Sequence, residues 1–313
     1  MPIFILKENV MALNWKVFTQ RPYIKSLSLE EQVRLFNIAN EKSIKLREQR
    51  FIDFANSNST SQSSAGDGDT GVTPFTNIFS LDFDGTDDYV DGLIGESFPT
   101  SLLDNFSVSF WIKMEPVSSG TYTRRHPVSV STSVTPMDQT VHVRAWNTQY
   151  RVRQIGSQSG GGVGTTDLSD NNWHHIVYTY EYDAGTTYYT TNIYVDGNST
   201  PEVTAIMRTT GGYATRGLYT IGVLSNYTDP HSKVSGTYFP GEIDEVAGFD
   251  GIVLTTSQIN SIYNSGVASD ILSLSPKFWY RFEEGSGTTA TDSGIGSNNG
   301  TINGAIYSTY VPT

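Results

Sequence analysis

The stretch FPGEIDEVAGFDGIVLTTSQI, residues 239–259, alternates apolar and polar positions from Ile243 through Ala247. A period of two is the mark of a strand with one face in a core. Pro240-Gly241 before it and Asp250-Gly251 after it are turn signals. Thr255, Thr256 and Ser257 then offer hydroxyls to cap a short helix, predicted from Gln258 to Asn264. Gly266 stands where a glycine just past the helix would stop it.

Other strands gather around this one. In FSVSFWIKM (106–114), Phe106, Val108, Phe110 and Ile112 point one way, and Ser107, Ser109, Trp111 and Lys113 the other. SLDFDGTDDYV (80–90) puts Leu81 and Phe83 on one face, turns at Gly85 and starts a second strand at Tyr89. NNWHHIVYTYEYDAGTTYYTTNIYVDGN (171–198) reads as two long strands joined by Asp183-Ala184-Gly185 and closed by an Asp196-Gly197 turn. VHVRAW (141–146) and YRVRQI (150–155) form a predicted hairpin, and YTIGVL (219–224) is a further strand. FWYRFEEGSGTTATDSGIGSNNGTINGA (278–305) ends the pattern.

These phrases resemble the concanavalin A-like, laminin-G/pentraxin-type jelly-roll family. The resemblance rests on F-x-G-x-I-D-E-V with its following helix, F-D-G-x-D-D-Y-V, F-S-V-S-F-W-I-K, W-H-H…Y-V-D-G and the closing phrase, over roughly residues 75–307. It implies a mainly β chain built on a concanavalin A-like jelly-roll sandwich, ahead of which the sequence itself predicts an N-terminal α-helical anchor segment. In many relatives the closing phrase precedes the F-D-G strand. Here it comes last, and its strand is expected to pair with the opening one because the ends of a jelly roll lie close together.

Composition fits such a fold. Gly, Ser, Thr and Tyr are abundant, as short strands and many turns require. There are no cysteines, which excludes disulfides, thiolate chemistry and Cys-based zinc sites. The net charge of −12 argues against a nucleic-acid partner. That charge is uneven: residues 1–56 carry nine Lys/Arg and six Asp/Glu, the remainder eleven and twenty-six. No segment approaches the roughly 18–20 apolar residues of a membrane span, so membrane insertion is not expected. Ile3 to Leu6 is the longest apolar run near the start, shorter than a signal-peptide core of about 7–15 residues, so signal-peptide export is not expected either.

Three segments follow: 1–55 as a helical anchor, 56–73 as a linker rich in Ser, Asn, Gly and Asp, and 74–313 as the jelly roll. Ser28-Leu29-Glu30-Glu31 is a capping box. The helix predicted from Leu29 to about Ala55 spans about 40 Å. It carries a wide apolar stripe including Leu29, Val33, Phe36, Ile44 and Phe51, which must be covered by the β domain, by copies of itself in a homo-oligomer, or by another protein. Asn40 and Arg47 interrupt the register of a regular coiled coil.

Retaining glucanases of the resembled fold set two glutamates around an aspartate, with the carboxyls about 5–5.5 Å apart. Glu242-Ile243-Asp244 supplies the first half, but Val246 and Ala247 occupy the second position and Glu245 is expected on the opposite face. No catalytic residue is assigned. His174 and His175 are adjacent on a strand and face opposite sides, which disfavours a shared zinc ion. Asp84, Asp87, Asp88 and Asp91 cluster by a turn and offer hard oxygens suited to calcium, the one cofactor considered. Self-capping turn aspartates are the alternative. Tyr188, Tyr189, Tyr213, Asn226 and Tyr227 fall in hairpin tips or loops, where aromatics stack on sugars and amides bond hydroxyls. Arg144, Arg151 and Arg153 stand in an otherwise acidic domain, as solvated strand residues or as contacts to an anionic sugar.

The organisation points to a non-catalytic virion structural protein, a phage head decoration, fibre or tail-associated protein. Its expected partners are other virion proteins, through the N-terminal segment, and a host-surface glycan. The expected place is the virion surface. A secreted bacterial lectin or adhesin, which would be extracellular, and an atypical glucanase-like hydrolase are the alternatives.

Overall fold

The computed structural model describes residues 28, 29, 33, 75–92, 98, 105–116, 124–131, 142–146, 149–155, 159–186, 188–208, 218–225 and 233–313. The chain divides into two compact units, Met1–Pro74 and Phe75–Thr313. In the first unit Leu29 and Val33 are helical and exposed. Phe36, Ile44 and Phe51 of the predicted stripe, and the 56–73 linker, lie outside the described residues.

Among its described residues the second unit holds seventeen strands. The first eight are β1 Ser80–Asp84, β2 Tyr89–Asp91, β3 Phe106–Lys113, β4 Arg124–Arg125, β5 Val128–Ser131, β6 His142–Trp146, β7 Gln149–Ile155 and β8 Ser159–Val163. Then come β9 Trp173–Asp183, β10 Tyr188–Val195, β11 Val203–Arg208, β12 Leu218–Ile221 and β13 Pro240–Asp250. After a helix, α1 Thr256–Tyr263, the chain ends with β14 Phe278–Tyr280, β15 Thr289–Ala290, β16 Gly300–Asn303 and β17 Ile306–Ser308. The larger sheet runs β17-β1-β13-β3-β9-β10-β11-β8-β7-β6-β4, with β14 also on β13. The smaller runs β15-β16-β2-β12-β5, and the two form a sandwich. This is the mainly β jelly roll that the family resemblance implied.

Alternation does the sorting. Phe106, Val108, Phe110 and Ile112 of β3 enter the core between the sheets with Leu81, Phe83, Ile176, Tyr178, Phe278 and Tyr280. The other face of the large sheet is covered by α1 and its neighbours: Val177, Ala247, Phe249, Leu254, Ile259, Ile262 and Trp279 form a second apolar cluster. Each of these side chains contributes roughly 1.5–3 kcal/mol by leaving water. The helix starts two residues earlier than predicted. Thr255 is its N-cap, in a full capping box with Gln258. It ends at Asn264, which takes the left-handed conformation itself, so Gly266 is not the stop.

The closing phrase joins both sheets. Its β14 pairs with β13 and its β16 with β2. The strand that pairs with the opening strand β1 is β17, just beyond the phrase, with Ser80 opposite Ser308. β17 thus forms one edge of the larger sheet, beside β1.

Gly248 of β13 is required by packing. A Cβ there would overlap the Phe278 ring and lie 2.8 Å from Phe98 Cζ. Gly248→Ala is expected to destabilise the domain by about 1–3 kcal/mol, the usual cost of overpacking, read as a lower urea midpoint at unchanged slope.

Candidate functional site

The strand β13 carries the carboxylates that would matter to a glucanase, and a bulge rearranges them. Against β3, Asp244 faces Trp111 and Ala247 faces Ser109, so three steps on β13 match two on β3. Glu245 absorbs the extra residue with φ of 51°. Ile243 and Val246 therefore both enter the core, while Glu245 does not point to the face opposite Asp244, as simple alternation predicts. Instead Glu245 Oε2 accepts Trp279 Nε1 at 2.5 Å and its Oε1 accepts Arg281 Nε at 3.4 Å. Asp244 Oδ2 accepts Asn77 Nδ2 at 2.9 Å, and Oδ1 accepts the Glu245 amide at 2.8 Å. Glu242 Oε2 lies 3.7 Å from Lys113 Nζ.

All three carboxylates are buried. Burial, reinforced by the Glu245 charge, holds Asp244 well above the usual carboxylate range. Burial pushes Glu245 up to about 8 against the opposing pull of Arg281 and Trp279. The group is a buried structural knot: Arg281 also lies 4.4 Å over the Phe75 ring and donates to Thr76 O.

The two histidines of β9 do face opposite sides. His175 is buried, bonds Ser109 Oγ at 2.8 Å and packs 4.9 Å from the Trp111 ring. Burial drops its imidazole to about 3, so it stays neutral. His174 is held between two carboxylates, Asp196 Oδ2 at 2.8 Å on Nδ1 and Asp170 Oδ1 at 3.1 Å on Nε2. Burial lowers its pKa, but the hydrogen bonds and charges of Asp196 and Asp170 outweigh it and the net shift is upward. Asp196 also accepts the His175 amide, so this histidine clamps the β10–β11 turn to the start of β9.

The β1–β2 loop brings Asp84, Asp87 and Asp88 together, each offering an oxygen within 4.8 Å of the others. Asp84 Oδ1 caps Thr86 and Asp87 amides, and Asp88 Oδ2 accepts the Asp84 amide at 2.8 Å. Asp88 is 8% exposed, and burial with the charges of Asp84 and Asp87 raises its carboxyl to about 6. Asp91 does not join them. It lies on β2 and pairs with Lys233 Nζ at 2.5 Å.

Of the aromatic candidates, Tyr188 is half-buried at the start of β10. Tyr189 belongs to the core, edge-on to Tyr180 at 6.1 Å and tilted against Tyr182 at 5.1 Å, so it offers no face to a sugar. The period of two that makes β10 a strand sends Tyr189 inward; reading it as a hairpin tip missed this. Tyr213, Asn226 and Tyr227 lie outside the described residues.

Residues 84–260 match the family model described as the concanavalin A-like lectin/glucanases superfamily. The chain belongs to this superfamily. A protein from Bacteroides ovatus, described as a candidate carbohydrate binder, is 18% identical with a TM-score of 0.49 and matches over 77% of this chain. The chain spans 62% of that protein's length. The heptameric SAP-like pentraxin of Limulus polyphemus is 14% identical, TM-score 0.42, covering 61% of this chain and 84% of the pentraxin. Domain 4 of the arabinanase AbnA from Geobacillus stearothermophilus, solved with arabinotriose, is 18% identical, TM-score 0.35, covering 61% and 82%. No curated protein sequence matches the chain.

In this superfamily member the aspartate loop fits a hard cation better than a soft one. Its donors are carboxylates only, and calcium takes roughly six to eight oxygens. Asp88 is a partly desolvated carboxylate among like charges, a state that a cation relieves.

The His174 clamp gives a pH dependence of defined sign. A folded-state pKa above the unfolded value means stability that is present below about 6.5 and lost as pH rises through the raised value. Wild type is therefore expected to lose more stability than His174→Gln between pH 6 and pH 9. The difference is expected to be about 1 kcal/mol, or about 2–4 °C in Tm, because the half-exposed Asp170 is screened. Parallel Tm curves for the two proteins would contradict this.

Proposed function

We propose that the chain is a non-catalytic structural protein of a virus particle, a phage head decoration, fibre or tail-associated protein, that displays its jelly roll for glycan attachment. The N-terminal unit is its docking element toward other virion proteins. The observation that carries this reading is the division into two units, of which the first lacks the strong acidity of the second, with nine Lys/Arg against eight Asp/Glu, and leaves Leu29 69% exposed and Val33 41% exposed on a helix. Exposed apolar side chains on a helix favour burial against a partner. The non-catalytic reading is supported by the β13 carboxylates: Asp244 and Glu245 are committed to Asn77, Trp279 and Arg281 inside the protein. Neither is presented to a substrate.

Peptide mass spectrometry of purified particles from the source tests the role. Peptides from both units at stoichiometric level are expected; absence from particles, with the protein free in the medium, points to a secreted lectin instead. Deleting residues 1–72 is expected to abolish incorporation while leaving the jelly roll folded. Incorporation of the truncated chain at the full-length level contradicts the docking role.

Within the jelly roll, we assign Asp84, Asp87 and Asp88 as a calcium site. Without a cation, the raised Asp88 pKa makes the fold lose stability as pH rises from about 4 through about 6. Calcium at about 1 mM, a concentration at which extracellular modules bind it, is thus expected to raise Tm more at pH 7 than at pH 5. Asp88→Asn should remove the response. An identical Tm with calcium and with chelator at pH 7 would exclude the site.

A further inference from the structure

The part of the large sheet running β7-β6-β4 carries a basic strip. Arg124 of β4 lies directly opposite Arg144 of β6, and Arg144 lies directly opposite Arg151 of β7. The register thus runs three arginines across three neighbouring strands. Arg153 follows two residues along β7, on the same face as Arg151. The alternate residues Val143, Tyr150 and Val152 enter the core, so the arginine positions fall on the opposite face.

Such an arrangement works against folding. Like charges directly opposite one another on paired strands destabilise them. Arg151 and Arg153 are half-buried. Arg151 Nη2 donates to Gln149 Oε1 at 2.5 Å, but Arg151 Nε and Arg153 Nη1 are buried with no hydrogen-bond partner. Among the described residues no carboxylate pairs with either guanidinium. The unit is strongly acidic overall, since residues 75–313 carry eleven Lys/Arg against twenty-four Asp/Glu. Concentrating cations on one strip of an acidic domain is what recognition of a local anion requires. A guanidinium presents a planar fork of donors matched to a carboxylate or sulfate.

We infer that the strip is a binding site for the acidic groups, carboxylate or sulfate, of an anionic polysaccharide. Three strands span about 10 Å across the sheet, a width suited to a few acidic sugar units. A long polyphosphate would meet the repulsive field of the surrounding acidic surface, which disfavours a nucleic acid. The site is separate from the aspartate loop. It takes the class of polymer from the glycan-display reading.

Affinity electrophoresis and titration calorimetry of the full chain at low salt test the inference, with polygalacturonate, dextran sulfate, unmodified dextran and single-stranded DNA as probes. Retardation by polygalacturonate, by dextran sulfate or by both is expected, and which of them acts names the acidic group. Retardation by neither overturns the site, as does equal retardation by the DNA. Binding of unmodified dextran alone overturns the strip while leaving glycan display standing. The pair Arg151→Gln/Arg153→Gln is expected to weaken binding about 10- to 100-fold, with Tm unchanged or higher because repulsion is relieved. The pair Arg151→Lys/Arg153→Lys keeps the charge and serves if the Gln pair does not fold. It is expected to lose about tenfold for want of the fork. Wild-type affinity in either pair overturns the inference.

Discussion

Glu245 sits in a left-handed backbone conformation that turns its carboxylate inward, where it meets Trp279 from β14 and Arg281 just beyond it. Around it, Asn77 bonds Asp244, and Glu283 accepts the amides of Ile78 and Phe79. Phe75 stacks on Trp279 at 6.1 Å with Arg281 against both rings. This knot ties the first segment of the jelly roll and the closing phrase to the middle of β13. Two adjacent buried carboxylates are costly unless they are hydrogen-bonded and share their charge with a cation, and removing one partner from such a group costs about 3–5 kcal/mol. The pairing order of the sheet around β13 depends on these partners being supplied from both ends of the chain.

The same face continues into a second junction. Trp111, His175 and Tyr263 stack in series, with Trp111 5.7 Å from Tyr263. Tyr263 in turn fills the space beside Gly197, where a Cβ would come within 2.6 Å of its ring. Gly197 and Asp196 both take positive φ in the turn after β10, and Asp196 is the residue that holds His174. Helix docking, the turn and the histidine clamp are therefore one packed unit. A charge change at His174 is felt where α1 meets the sheet.

Function on this scaffold is a matter of which charges are left unspent. Asp244 and Glu245 on β13 are buried and bonded to Asn77, Trp279 and Arg281 inside the protein. The aspartate loop keeps three carboxylates close together, two of them exposed, and on β7 Arg151 Nε and Arg153 Nη1 have no hydrogen-bond partner. The two units differ in charge: residues 1–74 carry nine Lys/Arg against eight Asp/Glu, and residues 75–313 eleven against twenty-four.

Much of the fold was legible in the sequence because a half-buried strand writes its two faces into every second residue. Phe106, Val108, Phe110 and Ile112 declared β3 and its core face, and the hydroxyls of Thr255, Thr256 and Ser257 marked where α1 would begin, although the Thr255–Gln258 capping box is seen only in the structure. The family phrases placed the sandwich. What alternation does not encode is a change of period. The bulge at Glu245 reversed its face, and only the pairing of β13 with β3 and β14 shows it. Asp91 belonged by spacing to the aspartate loop, but Lys233, more than a hundred residues away, claims it. Arg124 sits on a two-residue strand too short to carry a pattern, and its place beside Arg144 exists only as a register. Local chemistry along the chain determined the strands, turns and helix cap. The tertiary structure decided which charges meet, because those contacts join residues that the chain brings together only on folding.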